Sequence, residues 1–116
     1  MEFTSIVDMI TLFANEYCKP SSIILLVGNT EVQNIKEIFQ FITSEVICIE
    51  TFNGYGVDIV VKETLPFENY SFDLIIDFKE LSLKKYLKPN GKLLMKGVVL
   101  DALENYKIGN EVFSVV

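Results

Sequence analysis

Apolar residues recur along this chain at helical spacing in some segments and in unbroken runs in others, and the changes of pattern mark out its elements. Phe3, Ile6, Val7, Ile10, Phe13, Ala14 and Tyr17 fall on one face of a helix, which predicts an amphipathic helix over residues 3–17. Ser5 and Asp8 have the spacing of a capping box that would start it a little late, and Cys18-Lys19-Pro20 ends it. Residues 22–27, apolar from Ile23 onward and ending at Gly28, have the form of a central parallel strand buried on both faces. Val32, Ile35, Ile38, Phe39 and Ile42 return to helical spacing, with Asn29 or Thr30 as the N-cap. Residues 45–49 form a second strand that closes at Glu50, and residues 57–61 form a third.

Two further apolar runs, 72–76 and 92–96, enclose a segment where Leu81, Leu83, Tyr86 and Leu87 fit a short helix. Pro89 disfavours helix at Lys88, and Asn90-Gly91 turns the chain. Strand, helix, turn and strand make a βαβ unit, so these strands should be parallel and joined by a right-handed crossover. Residues 98–105 read as a short helix, and 106–116 as a hairpin with Gly109-Asn110 between two alternating runs. The link 51–56 is short for a parallel crossover, which usually needs roughly a dozen residues and a helix. Either the third strand runs antiparallel or that helix has been lost. The link 62–71, which holds Pro66, has as little room for one.

With 116 residues the chain is long enough for one domain and one core, and with half of them apolar and nine Phe disorder is not expected. The net charge of −6 opposes phosphate backbones, and all ten basic residues are Lys, so the planar Arg fork that grips phosphate is missing. Nucleic acid is therefore not expected as a partner of the chain alone. The absence of His removes the commonest general base and metal ligand. Cys18 and Cys48 lie far apart and outside any C-x-x-C pair, which fits two reduced thiols and no metal site. Glu2 and Asp8 stand where a cationic leader would be basic, and no apolar run approaches the ~18 residues needed to cross a bilayer. The polar face of the first helix lacks the Lys and Arg of membrane-surface helices. A soluble, reducing, cytoplasmic location and no membrane contact are the expectation.

Leu65-Pro66-Phe67, then Ser71-Phe72-Asp73-Leu74-Ile75-Ile76, then Leu87-Lys88-Pro89-Asn90-Gly91-Lys92-Leu93-Leu94 resemble, in order and spacing, the second half of a class I S-adenosylmethionine-dependent methyltransferase domain. The resemblance implies an α/β, Rossmann-like fold across residues 1–116. Its mostly parallel sheet would have helices on both faces, shortened here and ending in the C-terminal hairpin. It also implies a cofactor crevice at the carboxyl ends of the strands. There Gly28 matches the first glycine of the family's turn, Leu26 replaces its acid, and Thr30 and Val32 replace later glycines. Glu50 stands where the family's acid binds the ribose hydroxyls, and reads equally as a solvated strand-end carboxylate. The acid that contacts adenine is absent, since Val61 or Lys62 falls there. Asp77 holds a position that faces the substrate in the family, but a lone carboxylate there reads first as structural or merely solvated. A bound S-adenosylmethionine would thus be held by Gly28, Asn29, Glu50 and Asp77, with no catalytic residue identified and no metal site.

So degraded a turn points to a methyltransferase-like domain that does not methylate and most simply carries no cofactor. An active methyltransferase on an unidentified substrate is the alternative, because methyl transfer depends mainly on proximity and alignment. A sheet edge that has lost its helices would offer Phe52, Val57, Ile59, Val61 and Phe67 to a protein partner or a second copy of the chain. Alternatively Phe52, Tyr55, Phe67 and Tyr70 fold back and cover the sheet. The layout is similar to the N-terminal domain of the anamorsin family, which implies a role in cytosolic iron–sulfur protein assembly; the Cys-rich region of that family is absent here.

Overall fold

The computed structural model describes residues 1–28, 34–52, 54, 56–62 and 64–116, together with the backbone alone of residues 32 and 33 within a helix. In chain order the elements are β1 (Glu2–Phe3), α1 (Ile6–Tyr17), β2 (Ile23–Val27), α2 (Val32–Gln40), β3 (Glu45–Glu50), β4 (Ile59–Val60), β5 (Phe72–Asp77), β6 (Leu87–Lys96), β7 (Glu104–Ile108) and β8 (Glu111–Val115). The eight described strands form one mixed sheet in the order β1-β7-β8-β6-β5-β2-β3-β4. Neighbouring strands from β6 to β4 run parallel, and β8 is antiparallel to both β6 and β7. Chain order reverses between β2 and β5, where β3 leaves to one side and β5 arrives on the other.

Helix α1 begins where its cap allows. Ser5 Oγ accepts from the Asp8 N–H at 3.1 Å, which satisfies one of the free amides of the first turn. The expected helix over 3–17 is therefore shorter at its start. Residues before the cap peel away as β1 and pair with β7, and Phe3 meets Tyr106 edge-on at 5.4 Å. Helices α1 and α2 lie on the same face, where Met9, Ile10, Phe13, Ile35 and Phe39 close over Ile24, Leu26, Cys48, Leu74 and Ile76.

The opposite face carries Leu25, Val27, Ile49, Ile75 and Leu93, and no described α-helix covers it. Its lid consists of irregular chain: Val61, Leu65 and Phe67 from one link, Leu83 and Tyr86 from another. The expected helices on both faces are thus corrected to helices on one face. A helix around Leu81 to Leu87 is prevented because Glu80 (φ 54°) and Ser82 (φ 56°) are left-handed, which leaves only a 3-10 turn at Lys84–Tyr86. Lys88-Pro89-Asn90-Gly91 is not a turn before the strand but lies inside β6. Phe72 pairs with Leu87 and Leu74 with Lys92, so the β6 chain runs ahead of β5 and makes an irregular stretch there. A proline, which lacks an N–H, is tolerated at such a place. Gly91 is required there, since a Cβ would lie 2.6 Å from the Asp73 carbonyl.

Two further expectations resolve. The third strand is parallel to β3 and only two residues long, so the crossover has lost its helix. Asp58 holds this short link in place of one, accepting from the Cys48 N–H at 2.8 Å and from Lys36 Nζ at 2.8 and 2.9 Å. The helix expected over 98–105 is instead a turn leading into β7, with Asp101 left-handed (φ 65°). The hairpin β7–β8 forms as expected about Gly109 (φ 59°).

Cys18 is half-buried and Cys48 buried, and neither is in a disulfide. Burial, and after it the Asp58 carboxylate, pushes the Cys48 thiol from its ordinary 9.0 up to about 11, against a smaller opposing pull from Lys36. A raised thiol favours the neutral form in the folded state. The resulting stability is fully present below about pH 9 and is lost as pH rises through about 11. The stability advantage of the wild type over Cys48→Ala in urea unfolding is therefore expected to shrink across that window, and a thiol reagent at pH 8 should modify Cys18 well before Cys48.

Candidate functional site

Parallel strands whose order reverses leave a crevice outside their carboxyl ends, and here that crevice is a cavity of about 410 Å³. Val27, Ile49 and Glu50 enter it from β2 and β3, Val61 and Leu65 from the link after β4, and Lys79, Leu83 and Tyr86 from the link after β5. Its centre is a side chain that the sequence patterns do not single out, Lys79.

Asp77 ends β5 directly beside Val27, the last residue of β2. Its Oδ1 accepts from the Lys79 N–H at 3.0 Å and its Oδ2 from the Leu81 N–H at 2.9 Å. Both oxygens of this buried carboxylate therefore shape the departing loop. It sets the direction in which Lys79 leaves the strand. The Lys79 methylenes then lie over Gly28 (φ 64°). A Cβ on Gly28 would sit 2.5 and 2.7 Å from Lys79 Cδ and Cε, and closer still to Cγ. The ammonium ends 2.8 Å from Glu50 Oε2 and 5.5 Å from the centre of the Phe52 ring.

Glu50 is not solvated, being only 4% exposed. Its Oε2 also accepts from the Thr51 N–H at 3.3 Å. A carboxylate removed from water needs a charged or hydrogen-bonding partner, and Lys79 is that partner. The chain thus brings Gly28, Glu50 and Asp77 together through one lysine; Asn29 lies outside the described residues. The available sequence signal was Asp77-Phe78-Lys79, an acid at a strand end with a lysine two residues on. Its meaning depends on β5 lying beside β2, which local pattern does not reveal.

These residues do not fit a bound adenosyl group. The open face of Gly28 and the Glu50 carboxylate are the two features the methyltransferase resemblance supplies, and Lys79 takes both. No group of three or more His, Cys, Asp or Glu among the described residues could hold a metal ion. The acid–tyrosine cluster beyond the crevice is equally structural: Glu104 Oε2 accepts from Tyr17 at 2.5 Å and Tyr106 at 3.1 Å. Burial first, and then that carboxylate, pushes both phenols well above their usual value, so neither is a ready proton donor.

No family model, curated protein or solved structure matches this chain. The α/β architecture is established by the strands themselves; no family is identified.

The residues expected to meet a partner separate into two groups. Of them, Phe52 faces solvent (54% exposed); the exposed residue of β4 is Val60 (40%), which was not among those expected. Val57 is half-buried, and Ile59 and Val61 pack against the helix-free face. Phe67 folds back, meeting Phe72 edge-on at 4.9 Å and Tyr86 at 6.2 Å. No described strand lies beyond β4. A shallow depression of about 480 Å³ runs past that edge, lined by Val60, Lys62, Thr64 and Pro66 among others.

Removing one partner of a buried pair strands the other, whereas replacing both by neutral groups is close to neutral. Because Lys79 is about a third exposed, Lys79→Met is expected to cost about 2–3 kcal/mol, below the full buried-pair value. The double variant Glu50→Gln/Lys79→Met should recover most of that loss, as read by urea unfolding of all four proteins.

Proposed function

We propose that this chain is a non-catalytic, methyltransferase-like domain that acts as a protein-interaction scaffold. The observation that carries the reading is Lys79, whose side chain lies where the resemblance would put the ligand and pairs with the carboxylate that would bind its ribose. The parallel part of the sheet supports the fold assignment. Read in order of appearance, β4-β3-β2-β5-β6 follows the 3-2-1-4-5 order of doubly wound nucleotide-binding folds. The partner side of the reading rests on β4. It is a two-residue edge strand with an exposed Val60, next to an exposed Phe52, and open to an added strand from another protein or a second copy. The layout shared with the anamorsin family suggests cytosolic iron–sulfur protein assembly as the setting.

An active methyltransferase is the competing reading, favoured by the cavity at the strand ends and by Glu50 in its wall. The two separate by calorimetric titration with S-adenosylhomocysteine. The scaffold reading expects no binding to the folded chain at millimolar ligand. Micromolar binding that Glu50→Ala abolishes would establish the cofactor site instead. On the partner side, Val60→Lys at the exposed edge, opposite Glu50 in register, is expected to cost no more than about 0.5 kcal/mol of stability. It should weaken self-association in sedimentation at least tenfold if the partner is a second copy.

A further inference from the structure

We propose that the cavity at the carboxyl ends of β2, β3 and β5 binds an amphiphilic anion, a small molecule with an apolar body and one carboxylate, sulfonate or phosphate head. This goes beyond the scaffold reading and does not depend on it.

The body is set by the walls. Val27, Ile49, Val61, Leu65, Leu83 and Tyr86 line the cavity, and its volume of about 410 Å³ lies in the usual range for small-molecule sites, roughly 300–1,000 Å³. The head is set by the charge. The chain carries −6 overall, yet Lys62, Lys79 and Lys85, three of its ten basic residues, converge on this one cavity. The acidic residue among the described lining is Glu50, and its charge is already engaged by Lys79 at 2.8 Å. Neither Lys62 nor Lys85 forms an ion pair among the described residues, and Lys85 Nζ stands 5.1 Å from the centre of the Tyr86 ring. With Lys79 and Glu50 cancelling each other, Lys62 and Lys85 leave two unpaired ammonium groups at the rim of an apolar floor, a local positive excess in an otherwise negative molecule. That balance repels a sulfonium ligand, which carries an extra positive charge, and attracts an anion whose apolar part can leave water.

The test uses the full chain and anilinonaphthalene sulfonate as the probe, followed by two-dimensional amide NMR on isotope-labelled protein. Shifts are expected at Val61, Leu65, Leu83 and Tyr86. The sulfonate should bind at least tenfold more tightly than phenylnaphthylamine, which has the same body without the charge. The double variant Lys62→Gln/Lys85→Gln, with an unchanged thermal midpoint, should lose about tenfold in affinity. Octanoate or octyl phosphate should displace the probe, the stronger competitor identifying the preferred head. Equal affinity for the charged and uncharged probes, shifts confined to another surface, no effect of the double variant, or no displacement by either competitor would each overturn the proposal.

Discussion

A carboxylate at the end of a buried strand cannot be left bare, and much of the site follows from how this chain satisfies Glu50. Cys48 and Ile49 before it on β3 are buried, and Glu50 itself is only 4% exposed. The nearest supply of positive charge is the loop after β5, because β5 and β3 flank β2 on either side. Asp77 turns that loop, Lys79 reaches back across Gly28, and the ammonium meets the carboxylate. Gly28 is then needed for a different reason than ligand approach. Its missing side chain makes room for the lysine stem, and its left-handed backbone suits glycine.

The second constraint is the one-sided distribution of helices. A parallel sheet needs both faces covered, since strands such as β2 and β5 are apolar on each side. Here α1 and α2 cover one face, and the other depends on Phe67, Leu83 and Tyr86 carried by irregular chain. Aromatic edge-on contacts among Phe67, Phe72 and Tyr86 substitute for a helical layer, and aromatic rings are suited to this because each buries a large area from a single anchoring point. Sealing that face removes Phe67, and most of Ile59 and Val61, from any interaction surface. Among the described apolar residues of β4 and the segment before it, Phe52 and Val60 remain exposed.

Elements with a strong period were legible from the sequence: α1, β2, α2, β3, β5 and the final hairpin each lie close to where the residue pattern put them. What failed were segments whose conformation is decided by contact rather than period. Leu81, Leu83, Tyr86 and Leu87 have helical spacing, but the left-handed residues Glu80 and Ser82 break the backbone; Leu83, Tyr86 and Leu87 pack onto the helix-free face, and Leu81 stays exposed. Pro89-Asn90-Gly91 has the composition of a turn and is instead an irregularity within β6, which depends on the partner strand opposite it. Glu2–Phe3 was hidden because a two-residue strand has no period, and its partner β7 lies at the other end of the chain. At the site, Glu50 and Gly28 could be found from sequence because each ends a recognisable strand. Lys79 could not, because its importance arises from the side-by-side placement of β2, β3 and β5.

These two constraints meet in the same loop. The chain between Asp77 and Leu87 covers the helix-free face through Leu83 and Tyr86, and it carries Lys79 onto Gly28. A regular helix in this place would begin its first turn outside the strand end and leave the crevice open, with free N–H groups facing it. The left-handed kinks at Glu80 and Ser82 keep the loop low across the strand ends instead. The same loop therefore both covers the helix-free face and occupies the space over Gly28. The cavity beside it is walled by Val61, Leu65 and Tyr86 and rimmed by Lys62 and Lys85, so its chemistry is set by the lid rather than by Gly28.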